Sequence, residues 1–272
     1  MTADTQQERR RRKAVSIAVA CQKGGVGKTS TALALCEIAT RKGLRVLLVD
    51  MDAQGNASYT AQVSGAERNA FAALQRPSGA KEEIQPSPWG FDVLASVPAL
   101  ANADTVFVEP GREYRLREAV SAVEAGYDFI VIDTPPSLGI LTVNSLTACR
   151  HVVIPTQADM YSVQGLRQLG QTVDAVRKYC NSGLSVAGVL VTRYNGRTVI
   201  RREVSKLLED VAGQLGCRLF EARVRECTAM IEAQATRTGL FVHAPSCNAA
   251  MDYQAFAEEL LRRIDQEENQ NG

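Results

Sequence analysis

The sequence predicts an α/β fold, a doubly wound, mostly parallel sheet flanked by helices. Two observations carry this expectation. Short runs from Arg45 to Val49, Phe129 to Ile132, His151 to Ile154 and Leu184 to Val191 are apolar without alternation. Strands that are apolar on successive residues are buried on both faces, as in a parallel sheet covered by helices. Between and after these runs lie stripes of helical spacing. They comprise Ala32, Leu35, Cys36 and Ala39; Leu116, Ala119, Val120 and Val123; Ile200, Val204, Leu207, Leu208, Val211 and Leu215; and Phe256, Leu260, Leu261 and Ile264. Such alternation builds right-handed βαβ units, whose ligands bind outside the carboxyl ends of the strands.

Taken in order, residues 1–13 form a polar segment ending in Arg9-Arg10-Arg11-Arg12-Lys13, expected to be a disordered basic tail or an arm that touches nucleic acid. Ala14 to Ala20 reads as the first strand. It leads into Cys21-Gln22-Lys23-Gly24-Gly25-Val26-Gly27-Lys28-Thr29 and then a helical run to Lys42. Strand, glycine-rich loop and helix together are the setting of a phosphate-binding loop. Backbone N–H groups can surround a phosphate only where no side chain intrudes, a need that Gly24, Gly25 and Gly27 meet. Lys28 can neutralise the β- and γ-phosphates, and the Thr29 hydroxyl can bind Mg²⁺. The expected cofactor contacts are Lys23, Gly24, Gly25, Val26, Gly27, Lys28, Thr29 and Ser30.

The second strand is followed by Asp50-Met51-Asp52-Ala53-Gln54-Gly55-Asn56. Two carboxylates beside a triphosphate would repel it, so their presence argues for a divalent cation. Residues 57–112, punctuated by Pro77, Gly79, Pro86, Pro88 and Gly90, read as an excursion between the second and third core strands rather than a separate domain. The run from Phe129 ends in Asp133-Thr134-Pro135-Pro136, where the prolines forbid an immediate helix. The strand near residue 190 ends in Thr192-Arg193-Tyr194-Asn195, and the helix after it places Arg202 and Lys206 opposite its apolar stripe. A single domain is expected over 14–265, with a frayed polar tail over 266–272.

Composition sets outer limits. The chain has 272 residues, 45% hydrophobic and 22% charged, with a net charge of +1, so a nucleic-acid partner would have to be met by a local patch. Seven cysteines, an odd number without a C-x-x-C pair, fit a reducing, cytosolic compartment. No run of 18 apolar residues predicts a membrane-spanning helix.

The loop departs from G-x-x-x-x-G-K-[ST], with Gln22 where glycine is expected and an added lysine, Lys23. In this it resembles the deviant loop, K-G-G-V-G-K-T, of the ParA/MinD family of ATPases. The resemblance runs from about residue 14 to 264, with an interruption at 57–90, and includes D-x-D-x-Q-x-N and the strand ending in Asp133. It implies a P-loop NTPase fold, ATP and Mg²⁺ as cofactors, and a homodimer formed face to face around two ATP molecules. Lys23 would reach the phosphates held by the other subunit. Thr29, Asp50 and Asp133 would form the metal's surroundings, and Asp52 would orient the attacking water. The implied catalytic set is Lys23, Lys28 and Asp52, with Asn195 as the amide meeting adenine. Gln157, Asp159, Tyr161 and Gly165 would serve structure and the dimer interface.

Among the family's branches, the acidity of Glu258, Glu259, Asp265, Glu267 and Glu268 opposes a membrane-binding C-terminal helix of MinD type. Asp133-Thr134-Pro135 lacks the cysteine that an iron–sulfur reductase would need. The expectation is therefore a ParA/Soj-type partition ATPase, cytoplasmic and nucleoid-associated, with slow hydrolysis stimulated by a ParB-like partner. Only about 13 residues precede the first strand, too few for a helix-turn-helix domain, so non-specific DNA binding is expected. Its candidates are Arg197, Arg201, Arg202, Lys206 and Arg225, the last resembling a family position implicated in DNA binding; Arg223, Arg262 and Arg263 could extend the patch. The alternative is a MinD-like or cluster-positioning ATPase that acts on a membrane or protein assembly.

Overall fold

The computed structural model describes residues 14–195 and 199–271, the side chains of 199–202 and 270–271 excepted. An eight-stranded sheet forms its centre, in the order β3-β4-β2-β5-β1-β6-β7-β8. The strands are β1 (Val15–Val19), β2 (Val46–Asp50), β3 (Ile84–Pro86), β4 (Asp92–Leu94), β5 (Phe129–Asp133), β6 (His151–Thr156), β7 (Ser185–Tyr194) and β8 (Leu219–Arg225). Neighbours run parallel, except that β3 is antiparallel to β4 at one edge.

Helices cover both faces, which is why the central strands are apolar on successive residues. Leu47, Val49, Ile130 and Ile132 face one core, whereas Val46, Leu48, Phe129 and Val131 face the other. The first core lies under α6 (Arg115–Ser121), α7 (Ile140–Ala148), α8 (Met160–Tyr179) and α9 (Val199–Gln214). The second lies under α1 (Lys28–Arg41), α10 (Thr228–Ala235), α11 (Leu240–His243) and α12 (Asn248–Asn271). Among the described side chains, which leave out Ile200, the stripes expected on α1, α6, α9 and α12 point inward with one exception. Leu207 is 40% exposed, because the buried row of α9 runs through Val204, Leu208 and Val211.

The excursion after β2 is more structured than a loop. It holds α2 (Asn56–Thr60), α3 (Ala70–Gln75), α4 (Ala80–Glu83) and α5 (Ala103–Val106), and adds β4 and β3 to the sheet. At the far end α12 continues to Asn271, beyond residue 265 where a polar tail is expected. No helix among the described residues is long and apolar enough to cross a membrane.

One irregularity lies between β6 and β7. Val152 pairs with Val186 but Val153 pairs with Gly188, leaving Ala187 as an extra residue in β7. Gly188 has φ 153°, and a Cβ there would meet Arg263 Nη1 at 2.6 Å and the Arg218 carbonyl oxygen at 2.8 Å. Arg263 of α12 donates to the Ala187 carbonyl at 3.0 Å and to the Leu219 carbonyl at 2.7 Å. Beyond the bulge the strand changes phase: Val186 and Val189 face the first core, and Leu190 faces the second.

Candidate nucleotide site

The sheet order places the ends of β2, β5, β1, β6 and β7 side by side, and the polar residues that follow these strands converge there. The loop after β1 turns on Gly25 (φ 73°) and Gly27 (φ 84°), left-handed conformations that L side chains rarely adopt. A Cβ on Gly24 or Gly25 would meet nothing within 4 Å. The loop is therefore not packed against the chain on that side, and open space remains in front of it. Gly27 precedes α1 without a side-chain cap, and the first turn carries no acidic residue. The positive end of the helix is left for an anion. Lys28 is buried, with Nζ donating to the Lys23 carbonyl at 3.1 Å.

Strand ends support the loop from behind. The Thr192 hydroxyl lies 2.7 Å from the Val26 carbonyl and 3.0 Å from the Thr156 carbonyl. Gln157 donates to the Gly25 carbonyl at 3.1 Å. Sequence reasoning gave Gln157 a mainly structural place and missed the part played by Thr192. The available signal was a polar residue ending an apolar strand at the carboxyl edge of the sheet.

Asp50 and Asp133 end β2 and β5 in register, and both are fully buried. Thr29 Oγ1 donates to Asp133 Oδ2 at 2.7 Å, whereas Asp133 Oδ1 is buried without a hydrogen-bond partner. Burial, reinforced by the nearby Asp50 carboxylate, pushes the Asp133 pKa well above the ordinary range. Asp50 is pushed up to about 6 by burial, although Ser58 donates to Oδ2 from its hydroxyl at 2.7 Å and its backbone N–H at 2.8 Å. Two adjacent buried carboxylates with an orphaned oxygen suit a hard divalent cation held through oxygen. Among the described residues no group of three or more His, Cys, Asp or Glu forms a metal site by itself. That is compatible with Mg²⁺, which keeps waters and shares substrate phosphate oxygens rather than filling an all-protein cage. Asp52 is half-buried beside this pair, with Oδ1 accepting from the Gln54 backbone N–H at 3.1 Å.

Lys23 folds back onto its own chain. Its Nζ lies 2.5 Å from Asp159 Oδ2 and 3.4 Å from Gln157 Oε1. Asp159 also caps α8 by accepting from the Ser162 backbone N–H at 2.9 Å. Partial burial raises the Asp159 pKa, but Lys23 and the Ser162 amide outweigh it and hold the carboxyl below its usual range. Val26 is buried, and Ser30 accepts from Gln234 of α10 at 3.0 Å. Asn195 is exposed just past β7, near Arg193 (φ 47°), which pairs with Glu226 at 2.7 Å.

Among the described side chains, the DNA candidates do not form one free patch. Arg197 and residues 1–13 lie outside the described residues, while Arg201 and Arg202 are on α9. Lys206 is exposed on the same helix. Arg225 makes a bidentate pair with Asp252 of α12, at 2.7 and 2.9 Å. Arg223 lies over the Tyr194 ring, 4.8 Å from its centroid, and Arg263 is committed to the β7 bulge. Arg262 is exposed.

Comparison with known proteins is consistent with this geometry. The model of the AAA domain family matches residues 14–186. The chain is 38% identical to the chromosome-partitioning ATPase Soj of Thermus thermophilus over 254 residues, 93% of this chain and 98% of that protein. It is 34% identical to the chromosome partitioning protein ParA of Myxococcus xanthus, covering 91% of this chain and 88% of that one. Among solved structures, cobyrinic acid a,c-diamide synthase of Mycobacterium smegmatis with bound ADP and magnesium superposes with a TM-score of 0.77 at 31% identity, covering 93% of this chain and 96% of that one. A putative plasmid partition protein of Borrelia burgdorferi bound to AMPPNP has a TM-score of 0.80 at 22% identity, covering 92% and 100%, a likeness of fold alone. With the deviant loop, the paired strand-end carboxylates and these relatives in agreement, the chain belongs to the ParA/Soj family of partition ATPases.

Proposed function

We propose that this chain is a Mg²⁺-dependent ATPase whose ATP-driven dimerisation gates non-specific DNA binding in the partition of a plasmid, an integrative element or a chromosome. A ParB-like partner stimulates its slow hydrolysis, and it works in the cytoplasm on the nucleoid. The observation that carries the reading is the buried, unpartnered Asp133 Oδ1 beside Thr29, next to a glycine loop that opens onto free space. Thr29, Asp50 and Asp133 would hold Mg²⁺, which would neutralise charge on the bound triphosphate. Lys28 binds the β- and γ-phosphates from within its own subunit, and Asn195 meets the adenine. Asp52 orients the water that attacks the γ-phosphate. Lys23 leaves Asp159 and crosses to the phosphates of the second subunit. DNA contact falls to Lys206, with Arg201, Arg202 and Arg197 on or just before α9, and Arg225 beyond it.

The test is a gel shift on unrelated duplexes, with ATP, with ADP and without nucleotide, run beside sedimentation of the same samples. ATP alone should produce both the dimer and the shift. Affinity should fall steeply with salt, since each neutralised phosphate releases counterions. Lys28→Ala should lose both through failure to bind ATP, whereas Asp52→Ala should accumulate as an ATP-bound, DNA-bound dimer. Equal DNA retention in all three states, or none, would reject gating and favour a MinD-like or cluster-positioning ATPase.

A further inference from the structure

Asp52 is gripped through both of its main-chain polar groups by a closed ring of hydrogen bonds. Its N–H donates to Asp50 Oδ1 at 3.2 Å. Asp50 Oδ2 accepts from the Ser58 hydroxyl at 2.7 Å. That hydroxyl accepts from the Ser96 backbone N–H at 2.9 Å. Ser96 Oγ completes the ring by donating to the Asp52 carbonyl at 2.5 Å. Ser58 and Ser96 are buried, at 3% and 5% exposure, so water does not compete readily for these bonds. The two serines come from separate parts of the excursion. Ser58 is in α2, and Ser96 follows β4 by two residues.

From this ring we infer that Ser58 and Ser96 are positioning residues for hydrolysis, acting on the Asp52 main chain; the inference rests on the proposed role of Asp52. Neither hydroxyl needs to touch nucleotide. Their contribution is to stop the strand-to-helix turn at Asp52 from rotating, so that its carboxylate meets the attacking water in one geometry. The Gly55 N–H also donates to the Asp52 carbonyl at 2.8 Å, so the turn itself persists without the serines. What Ser58 and Ser96 add is its fastening to the neighbouring strand end, and a turn cut loose there would displace the carboxylate while leaving the glycine loop unchanged. The ring also gives the excursion a task in the site. The β2–β4 pairing sets the height of Ser96 against Asp52, since Val49 is level with Leu94.

The test is Ser96→Ala, with Ser58→Ala as a second, independent cut in the same ring. Phosphate release is measured under single turnover with Mg²⁺–ATP, alongside equilibrium ATP binding. A misplacement near 1 Å costs about 100-fold in rate, so hydrolysis should fall by about 10- to 100-fold in both variants, while ATP affinity stays within about twofold in Ser96→Ala, whose hydroxyl does not touch Asp50. In an Asp52→Ala background, Ser96→Ala should add nothing to the loss. Amide exchange over residues 51–58 should quicken in Ser96→Ala, and Ser96→Thr, which keeps the hydroxyl, should restore slow exchange and turnover. Full hydrolysis by both alanine variants would overturn the inference. So would a Ser96→Ala loss that persists undiminished without the Asp52 carboxylate, or unchanged exchange over 51–58. If Asp52→Ala itself turns over normally, the proposed role of Asp52 fails, and the exchange result still decides whether the ring holds the turn.

Discussion

His151 begins β6 at 3% exposure, and neither of its ring nitrogens has a hydrogen-bond partner. Glu267 Oε2 of α12 is 3.7 Å from Nδ1, and Arg150 and Glu268 pair alongside at 3.5 Å. Burial lowers the His151 pKa from its ordinary 6.5, and the pull of Glu267 only partly offsets this. A depressed folded pKa means that the unfolded chain binds the proton more readily. The stability concerned is present above pH 6.5 and lost as pH falls through the lowered folded value. His151→Leu removes the unpartnered nitrogens and should stabilise the chain by on the order of 1 kcal/mol at pH 7.5. Its advantage should widen at pH 5.5, as read by paired urea unfolding curves; a gap that narrows toward acid would contradict the argument. The contrast with the glycine loop shows what residues alone reveal. Gly25, Gly27, Lys28 and Thr29 are dictated by local backbone geometry and charge, so the loop was legible in the sequence. The hold of Asp159 on Lys23, 136 residues away, depends on how β6 sits against β1 and was not.

Arg225 shows at the scale of elements why charge on a sequence is not charge on a surface. Its guanidinium and backbone N–H both bond Asp252, fastening the end of β8 to the first turns of α12. Arg225→Glu would set a carboxylate against Asp252 and undo that fastening, so any loss of DNA binding would have two causes. Lys206→Glu reverses an exposed charge on α9 and separates them. It should weaken DNA binding roughly tenfold or more and reduce the salt slope by about 1, without moving the melting midpoint. Arg225→Glu should lower that midpoint. A Lys206→Glu chain that binds DNA as tightly as wild type would remove α9 from the interface. Strand and helix existence followed the apolar pattern well for β1, β2, β5, β6 and β7. It failed for β3 and β4, whose three residues each are too few to show a period, and for β8, where Glu221 and Arg223 interrupt the apolar positions. β8 is an edge strand, where burial on two faces no longer forces unbroken hydrophobicity, whereas β4 is buried on both faces through Val93 and Leu94 and was lost to its length alone.

The whole molecule depends on two cores, and α12 closes one of them. Tyr253, Phe256, Leu260 and Ile264 are each at most 2% exposed, with Phe256 edge-on to Phe220 at 4.8 Å. Burying four such side chains contributes roughly 6–12 kcal/mol, comparable to the roughly 5–15 kcal/mol that holds a typical domain folded. A chain ending at residue 247 should therefore fail to give a cooperative melt by circular dichroism; a sharp transition would show that the sheet stands without this helix. The same helix reaches further through Arg263, which satisfies the carbonyl of the extra residue in β7. Five positions on, Thr192 presents its hydroxyl to Val26. Strands keep time in steps of two, and one inserted residue shifts every later side chain by half a beat. The hydroxyl under the phosphate loop is thus tuned by a miscount upstream, and an arginine on the outer helix preserves that miscount. Drift at position 263 would reach the nucleotide site as an error of phase, with every residue of the loop itself unchanged.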